Sequence, residues 1–316
     1  MMGGITIKDL QSELQAAIKN KTGFDEQYRQ LMNQAFKDPD VQAFIKKHHI
    51  DNDAVRHSAA RIYEFVQQKH NANAGKHRLI PGYQPELVFN GHLIDISYSP
   101  TMETIEKQKS KALKDRIKSI SIPKQARSAS FSDIKVEKQK SRMVVFNAAV
   151  TFVNQYTKHP HQFVRGMYLY GSFGIGKTFM LGAIANELAE RGVSTTMVHF
   201  PSFAVEMKNS IADNTNANKL DAVKRAQVLM LDDIGADVIS NWIRDEVLGV
   251  ILEYRMQNEL PTFFSSNLSM DDLEKNHLPY DKKNDRNGLR AGRIMQRIRF
   301  LAKEYRMEGE NLRLSD

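Results

Sequence analysis

The chain has 316 residues, no cysteine, and 45 Lys and Arg against 37 Asp and Glu, which gives a formal charge of +8. This length allows for two domains of roughly 100–200 residues each, and the basic balance favours an anionic partner. The lack of cysteine excludes disulfides, thiolate zinc sites and cysteine nucleophiles. No apolar signal core opens the sequence, and Asn147 and Thr151 interrupt the most apolar run. We therefore expect a cytoplasmic protein without a membrane segment.

The first hundred residues predict a small helical domain that ends in a β-hairpin. Apolar spacing favours short helices over Tyr28–Phe36 and Val41–Ile45 and a longer one over Ala54–Lys69, which Asp53 would cap. The segment PELVFNGHLIDISY then alternates apolar and polar residues around Asn90-Gly91, a dipeptide typical of two-residue turns. We predict an α+β domain over residues 1–100.

The next segment, residues 101–130, is strongly basic. Between Lys107 and Arg127 there are eight Lys or Arg and one acid, Asp115. This composition is typical of a solvated linker with some helix, and the alternative is a basic tether that contacts nucleic acid. We predict the domain boundary here.

From residue 131 to the end, strand-like and helix-like segments alternate. The predicted strands are Met167–Tyr170, Val193–His199, Val228–Leu231 and Pro261–Ser265, and helical stretches such as Thr178–Arg191 separate them. Such alternation predicts an α/β domain, with a parallel sheet covered by helices on both faces.

The segment GSFGIGKT has the spacing of a phosphate-binding P-loop and lies between a predicted strand and a predicted helix, where that motif has physical meaning. Glycines let backbone N–H groups turn around phosphate oxygens, and the helix N-terminus adds a positive dipole end. Lys177 would reach the β and γ phosphates, and the Thr178 hydroxyl would hold Mg²⁺. The predicted nucleotide-binding residues are Gly171, Ser172, Phe173, Gly174, Ile175, Gly176, Lys177 and Thr178.

Two polar groups follow later buried strands. VLMLDD would deliver Asp232 to the carboxyl edge of the sheet, where it would hold Mg²⁺, and Asp233 would polarise an attacking water or else cap the next helix. Asn267 ends the run PTFFSSN, and it would orient water near the γ-phosphate or simply form a turn.

The segment Arg286–Arg306 has seven Lys or Arg and one acid, Glu304. Helical spacing places Arg293 and Arg297 on one face, with Ile294 and Ile298 directed inward. The pair is either a solvated basic face or the source of an arginine finger, which one subunit inserts into the γ-phosphate site of its neighbour.

Taken in order, GSFGIGKT, VLMLDDIG, FFSSN and GRIMQRIR resemble the AAA+ ATPase domain of bacterial replicative-helicase loaders of the primosomal DnaI and DnaC type. The N-terminal half, with GYQPELVFNGHLIDISY, resembles the DnaI branch. The resemblance implies an ATPase that places a hexameric replicative DNA helicase on single-stranded DNA, with the N-terminal domain gripping the helicase. Since the Asp233 side chain is one methylene shorter than Glu, we expect slow ATP hydrolysis that a partner stimulates, and an arginine finger would require a nucleotide-dependent homo-oligomer, either a ring or a spiral.

The resemblance also assigns roles to particular residues. It makes Lys177, Thr178 and Asp232 nucleotide and Mg²⁺ residues, Asn267 a sensor, and Arg297, or failing it Arg293, the finger that acts in trans. The segments that correspond to single-stranded DNA contacts in these loaders offer Lys208, Ile211, Ser240 and Trp242. Trp242 has an equally good explanation as a core residue.

The chain departs from the family pattern at two points. Loaders of the DnaI type usually carry a cysteine-rich zinc site near the hairpin, so without cysteine we predict no zinc. Asp233 stands where many relatives have Glu, which leaves open a nucleotide switch that barely hydrolyses ATP. The remaining alternatives are an IstB-like transposition helper ATPase and a small-molecule or nucleotide kinase.

Overall fold

The computed structural model describes residues 30–73, 79–134, 140–160, 162–210, 216–236, 240–278 and 285–312. The chain divides into two compact units, Met1–Lys109 and Ser110–Asp316, here called the N-terminal and C-terminal units. The division falls inside a helix rather than in an irregular segment.

The N-terminal unit contains helices and one antiparallel hairpin. Residues 30–36 are helical, and Lys37 and Asp38 separate them from the next helix, which begins at Pro39, so the break lies at the Asp38-Pro39 position that the sequence predicts. Asp38 caps that helix by accepting hydrogen bonds from the backbone N–H groups of Asp40 and Val41. The elements are α1 Pro39–Lys47, α2 Asn52–His57, α3 Ala59–Asn73, β1 Tyr83–Phe89 and β2 Ile94–Pro100.

The predicted helix Ala54–Lys69 is in fact two helices, α2 and α3. Asp51, rather than Asp53, caps α2 by accepting from the Ala54 N–H at 2.7 Å. The break lies at Ser58, whose hydroxyl accepts a hydrogen bond from the backbone N–H of Ile94 at 2.7 Å. This bond ties the hairpin to the helices, and buried Ile62 and Ile94 belong to the same small core.

Residues 101–130, predicted as a linker with some helix, contain the division between the two units, but the part after that division belongs to regular structure of the C-terminal unit. The segment forms α4 Met102–Arg116, β3 Ile117–Ile120 and α5 Lys124–Arg127. Strand β3 pairs in parallel with the strand Thr195–His199, and Ile122 and Ala126 are buried. The lysines give the segment a polar composition, but the alternation in IKSI is apolar enough to form an edge strand.

The C-terminal unit is built on a six-stranded sheet. Its further strands are β4 Gly166–Tyr170, β5 Thr195–His199, β6 Val228–Asp232, β7 Thr262–Ser266 and β8 Ala302–Arg306. Its further helices are α6 Lys140–Lys158, α7 Lys177–Glu190, α8 Phe200–Asn209, α9 Asn216–Lys224, α10 Gly249–Gln257, α11 Met270–Asp272 and α12 Asp285–Leu301, with π-helical turns at Ile243–Leu248 and Leu273–His277.

The strand order is β3-β5-β6-β7-β4-β8, and all five pairings are parallel. Two apolar cores contain, on one side, residues of α8, α10 and α12 and, on the other, residues of α6 and α7. This architecture confirms the predicted parallel sheet between helices. Strand β8 was not predicted because its sequence, AKEYR, is polar, as befits an edge strand.

Candidate nucleotide site

The carboxyl ends of β4, β6 and β7 lie side by side, because β7 pairs with both of the others. The P-loop Gly171–Thr178 follows β4, Asp232 ends β6, and Asn267 follows β7. The fold therefore brings the predicted phosphate, metal and sensor residues to one edge of the sheet, where open parallel sheets bind ligands.

The P-loop turns from β4 into α7 through glycines with positive φ. Gly174 has φ 76° and Gly176, directly before the first residue of α7, has φ 94°. Side chains rarely adopt this conformation, so the motif needs glycine at these positions. The loop consequently ends at a helix N-terminus, where backbone N–H groups and the helix dipole favour an anion.

Lys177 joins the P-loop to the end of β7. Its ammonium group donates to the carbonyl oxygens of Gly171 and Ser172, both at 2.8 Å, and to Asn267 Oδ1 at 2.9 Å. The residue is only 8% exposed. Lys177 and the predicted sensor Asn267 are thus in direct contact, and a phosphate group would compete for the same ammonium.

Asp232 accepts hydrogen bonds from two neighbouring hydroxyl groups. Thr178 Oγ1 lies 2.9 Å and 3.1 Å from its two carboxylate oxygens, and Ser265 Oγ lies 2.5 Å from Oδ1. Burial raises the pKa of Asp232, and the hydrogen bonds from Ser265 and Thr178 oppose that rise. Ser265, which the sequence does not single out, holds the carboxylate towards the P-loop.

Asp233 adopts a left-handed conformation, with φ 61°. Its N–H donates to Ser265 Oγ at 2.9 Å, and its carboxylate accepts from Asn267 Nδ2 at 3.2 Å. His199, at the end of β5, places Nε2 3.9 Å from Asp233 Oδ2. At the next described helix, Ser240 Oγ accepts the N–H of Ile243 at 3.4 Å, so Ser240 rather than Asp233 bonds to its first turn.

These groups line a cavity of about 720 Å³, which is within the range of ligand pockets. Among the described residues that line it, Lys177 is the only Lys or Arg, and Asp232 and Asp233 are the acids. A second, mostly apolar cavity of about 340 Å³ is lined by Ile134, Phe179, Met180 and other residues. Three residues line both cavities: Gly176, Phe179 and Leu312.

Comparisons with known proteins cover both units. The family model for the primosomal protein DnaI N-terminus matches residues 7–98, and the model for the bacterial DnaA ATPase domain matches residues 138–275. The replicative helicase loader DnaI of Bacillus subtilis (strain 168) is 40% identical over 305 residues, which cover 94% of this chain and 96% of the relative. The chain belongs to the DnaI family.

Two further comparisons agree with this assignment. A crystal structure of DnaI covers 61% of this chain and 97% of its own, with 44% identity and a TM-score of 0.56. The replicative helicase loader DnaC of Escherichia coli (strain K12) is 24% identical over 148 residues, which cover 46% of this chain and 58% of the relative. The C-terminal unit therefore has the AAA+ fold of the DnaI family.

In this DnaI-family chain, the two predicted finger arginines differ in environment. Arg297 donates to the Gly249 carbonyl oxygen at 3.0 Å and pairs with Glu253 at 3.1 Å. Arg293 is exposed, and no described residue bonds to its side chain. Ile294 and Ile298 are buried, as the helical pattern predicts. Arg293 is therefore the arginine of the two that faces solvent.

The predicted DNA-contact residues are only partly brought together. Lys208, exposed at the end of α8, and Ser240 line one cavity of about 100 Å³ that also reaches Asp233. Trp242 is partly buried against the larger core, as the alternative explanation expects. Ile211 lies outside the described residues.

In the described part of this DnaI-family chain, no helix is long and apolar enough to span a membrane. No cluster of three or more His, Cys, Asp or Glu able to hold a metal occurs among the same residues.

Proposed function

We propose that this DnaI-family chain loads the hexameric replicative DNA helicase onto single-stranded DNA during replication initiation or restart, under the control of ATP. The observation that carries the proposal is the similarity to a replicative helicase loader over 94% of the chain, which spans both units. Because the similarity includes the N-terminal unit, it favours a loader over an IstB-like transposition helper, the alternative within the same class of ATPase.

The C-terminal unit would bind the triphosphate on the P-loop. Lys177 would exchange its two backbone carbonyl partners for phosphate oxygens and keep its contact with Asn267. Thr178 and Asp232 would hold Mg²⁺, since they offer hydroxyl and carboxylate oxygens, the donors that this ion prefers. When bound, Mg²⁺ would neutralise charge on the β and γ phosphates.

Asp233 and Asn267 would act on the attacking water. The Asp233 carboxylate is a general base, and the Asn267 amide links it to Lys177 and hence to the γ-phosphate position. Ser265 fixes the backbone of Asp233 and the carboxylate of Asp232 at once. Because Asp is shorter than Glu, we expect slow hydrolysis that speeds up with DNA or helicase.

The site would be completed by a second copy of the chain in a ring or spiral. Lys177 is the only Lys or Arg in the described lining of the phosphate cavity, so transition-state charge on the γ-phosphate calls for another cation. We propose Arg293 of a neighbouring copy for this role, because it is exposed, whereas Arg297 is held by Glu253 of its own chain. Arg297 would then support the helix that carries Arg293.

Single-stranded DNA would bind near the cavity formed by Lys208 and Ser240. Lys208 would contact phosphate, and Ile211 and Trp242 are assigned to DNA by resemblance alone. The formal charge of +8 supports an anionic partner, and DNA loading would take place in the cytoplasm.

The proposal is tested with the purified chain and the replicative helicase of the same organism. Co-elution of the two in ATP, together with ATP turnover that rises with single-stranded DNA, is the expected result. Co-elution with a transposase instead would favour the transposition helper, and phosphorylation of an acceptor would favour a kinase. ATP binding without turnover under any of these conditions would favour a nucleotide switch.

A further inference from the structure

Six residues that follow β8, Met307–Leu312, run along the outside of the P-loop, and we call them the strap. The N–H of Met307 donates to the carbonyl oxygen of Tyr170 at 2.7 Å, and the N–H of Leu312 donates to that of Gly174 at 2.9 Å. The N–H of Glu308 donates to Ser141 Oγ, at the start of α6, at 3.2 Å. The strap is therefore bonded to the end of β4, to the P-loop and to a helix beside it.

The packing between strap and P-loop leaves no room for a side chain on two of the glycines. A Cβ atom on Gly171 would overlap the carbonyl oxygen of Met307, and one on Gly174 would overlap the amide of Asn311. Since Gly174 is also the acceptor for Leu312, Asn311 and Leu312 together fix the middle of the loop. The strap thus sets the position of backbone that would surround the phosphates.

Leu312, at the end of the strap, lies between two cavities. Its side chain is 51% exposed, and its Cδ1 lies 3.5 Å from where a Cβ of Gly176 would be. It lines both the polar phosphate cavity and the apolar cavity beside it. A nucleotide with its phosphates on the P-loop has its uncharged portion, the sugar and base, beyond the phosphates, and the base offers apolar ring faces. Leu312 lies between the polar and the apolar cavity, where that uncharged portion would begin.

We propose that the strap recognises the nucleoside part of the bound nucleotide. Leu312 packs against the sugar or base, and Asn311 is a positioning residue that holds Gly174 in place for the phosphates. The inference rests on the proposed function, because it requires phosphates on the P-loop. It goes beyond that function by assigning nucleoside recognition to residues outside the P-loop and the acidic strand.

The test compares the affinity of the full chain for ATP and for inorganic tripolyphosphate, both with Mg²⁺, by calorimetry. Leu312→Ser is expected to weaken ATP binding by about tenfold and to leave tripolyphosphate binding unchanged, because it removes apolar contact with the nucleoside only. Asn311→Ala is expected to weaken both ligands, because it acts through the loop. Leu312→Met keeps the apolar contact and should bind ATP like the wild type.

Leu79→Ser is the matched control, since Leu79 is a 72% exposed leucine of the N-terminal unit. ATP binding by Leu312→Ser at the wild-type level, or equal loss of both ligands, would overturn the role of Leu312. Unchanged affinities in Asn311→Ala would overturn the role of Asn311. A wild-type chain that binds neither ligand would instead overturn the proposed nucleotide function, so the two failures are distinguishable.

Discussion

Replacing Ser265 by Ala should separate nucleotide binding from hydrolysis. Ser265 is only 1% exposed, and its hydroxyl accepts a hydrogen bond from the Asp233 N–H and donates one to Asp232 Oδ1. Its removal leaves a backbone N–H without that acceptor and a buried carboxylate with one donor fewer, which costs about 1–3 kcal/mol of stability. The Asp232 carboxylate would then keep only one hydroxyl donor, Thr178, and could rotate away from its present orientation.

The neighbouring residue supplies a matched control. Ser266 is also fully buried, and its hydroxyl donates to the carbonyl oxygen of Ile234 at 2.6 Å, away from Asp232. Ser266→Ala should therefore lose a similar amount of stability without disturbing the acidic residues. The free energy of unfolding of both variants is measured by denaturant titration. ATP affinity and stimulated turnover are then assayed on the folded proteins.

We expect Ser265→Ala to hydrolyse ATP at least about tenfold more slowly than Ser266→Ala, because positioning of the charged groups acts mainly in the transition state. ATP affinity should stay within about threefold in both, because Lys177 and the P-loop backbone remain. Equal turnover in the two variants would refute the idea that Ser265 positions Asp232 and Asp233.

Three further predictions concern other surfaces. Arg293→Ala should keep ATP binding but reduce stimulated hydrolysis at least about tenfold, whereas Arg297→Ala should mainly lower stability by about 1 kcal/mol; the reverse pattern in the two assays would move the finger to Arg297. Burial raises the pKa of Asp38, but hydrogen bonds from Lys69 and the Asp40 N–H bring it below its ordinary 3.8. Its stabilisation of the N-terminal unit is therefore complete above pH 3.8 and is lost as the pH falls through the lowered value, so acid unfolding followed by circular dichroism should show less loss in Asp38→Asn than in the wild type. Affinity for single-stranded DNA should fall steeply with salt, and a flat dependence would remove phosphate contacts from the account.

The sequence predicts the residues that lie at the ends of buried strands. Lys177 is identifiable from the spacing of the P-loop, and Asp232 and Asn267 are identifiable because each follows a predicted buried strand, since the carboxyl ends of parallel strands meet at one edge. Which of Ser265 and Ser266 faces Asp232 depends on how β7 is oriented in the sheet, and two adjacent serines give no clue to that. The order of strands is likewise a tertiary property.

Other features depend on contacts between distant segments. Strand β3 is stabilised by pairing with β5, and its lysines give the segment the composition of a linker. The pairing of Arg297 with Glu253 joins two helices, so helical spacing alone placed Arg297 and Arg293 on equal terms. The strap has no motif of its own, and only its hydrogen bonds to the end of β4 and to the P-loop reveal it.

The most direct test of the central claim is transfer of the helicase to closed circular single-stranded DNA, which has no ends to thread. Full-length chain, the replicative helicase of the same organism and ATP should yield helicase bound to the circles. Lys177→Ala should still bind the helicase but leave the circles bare, because Lys177 is the side chain that we propose as the contact to the phosphates of ATP. Equal transfer with the wild type, with Lys177→Ala and without nucleotide would contradict the account.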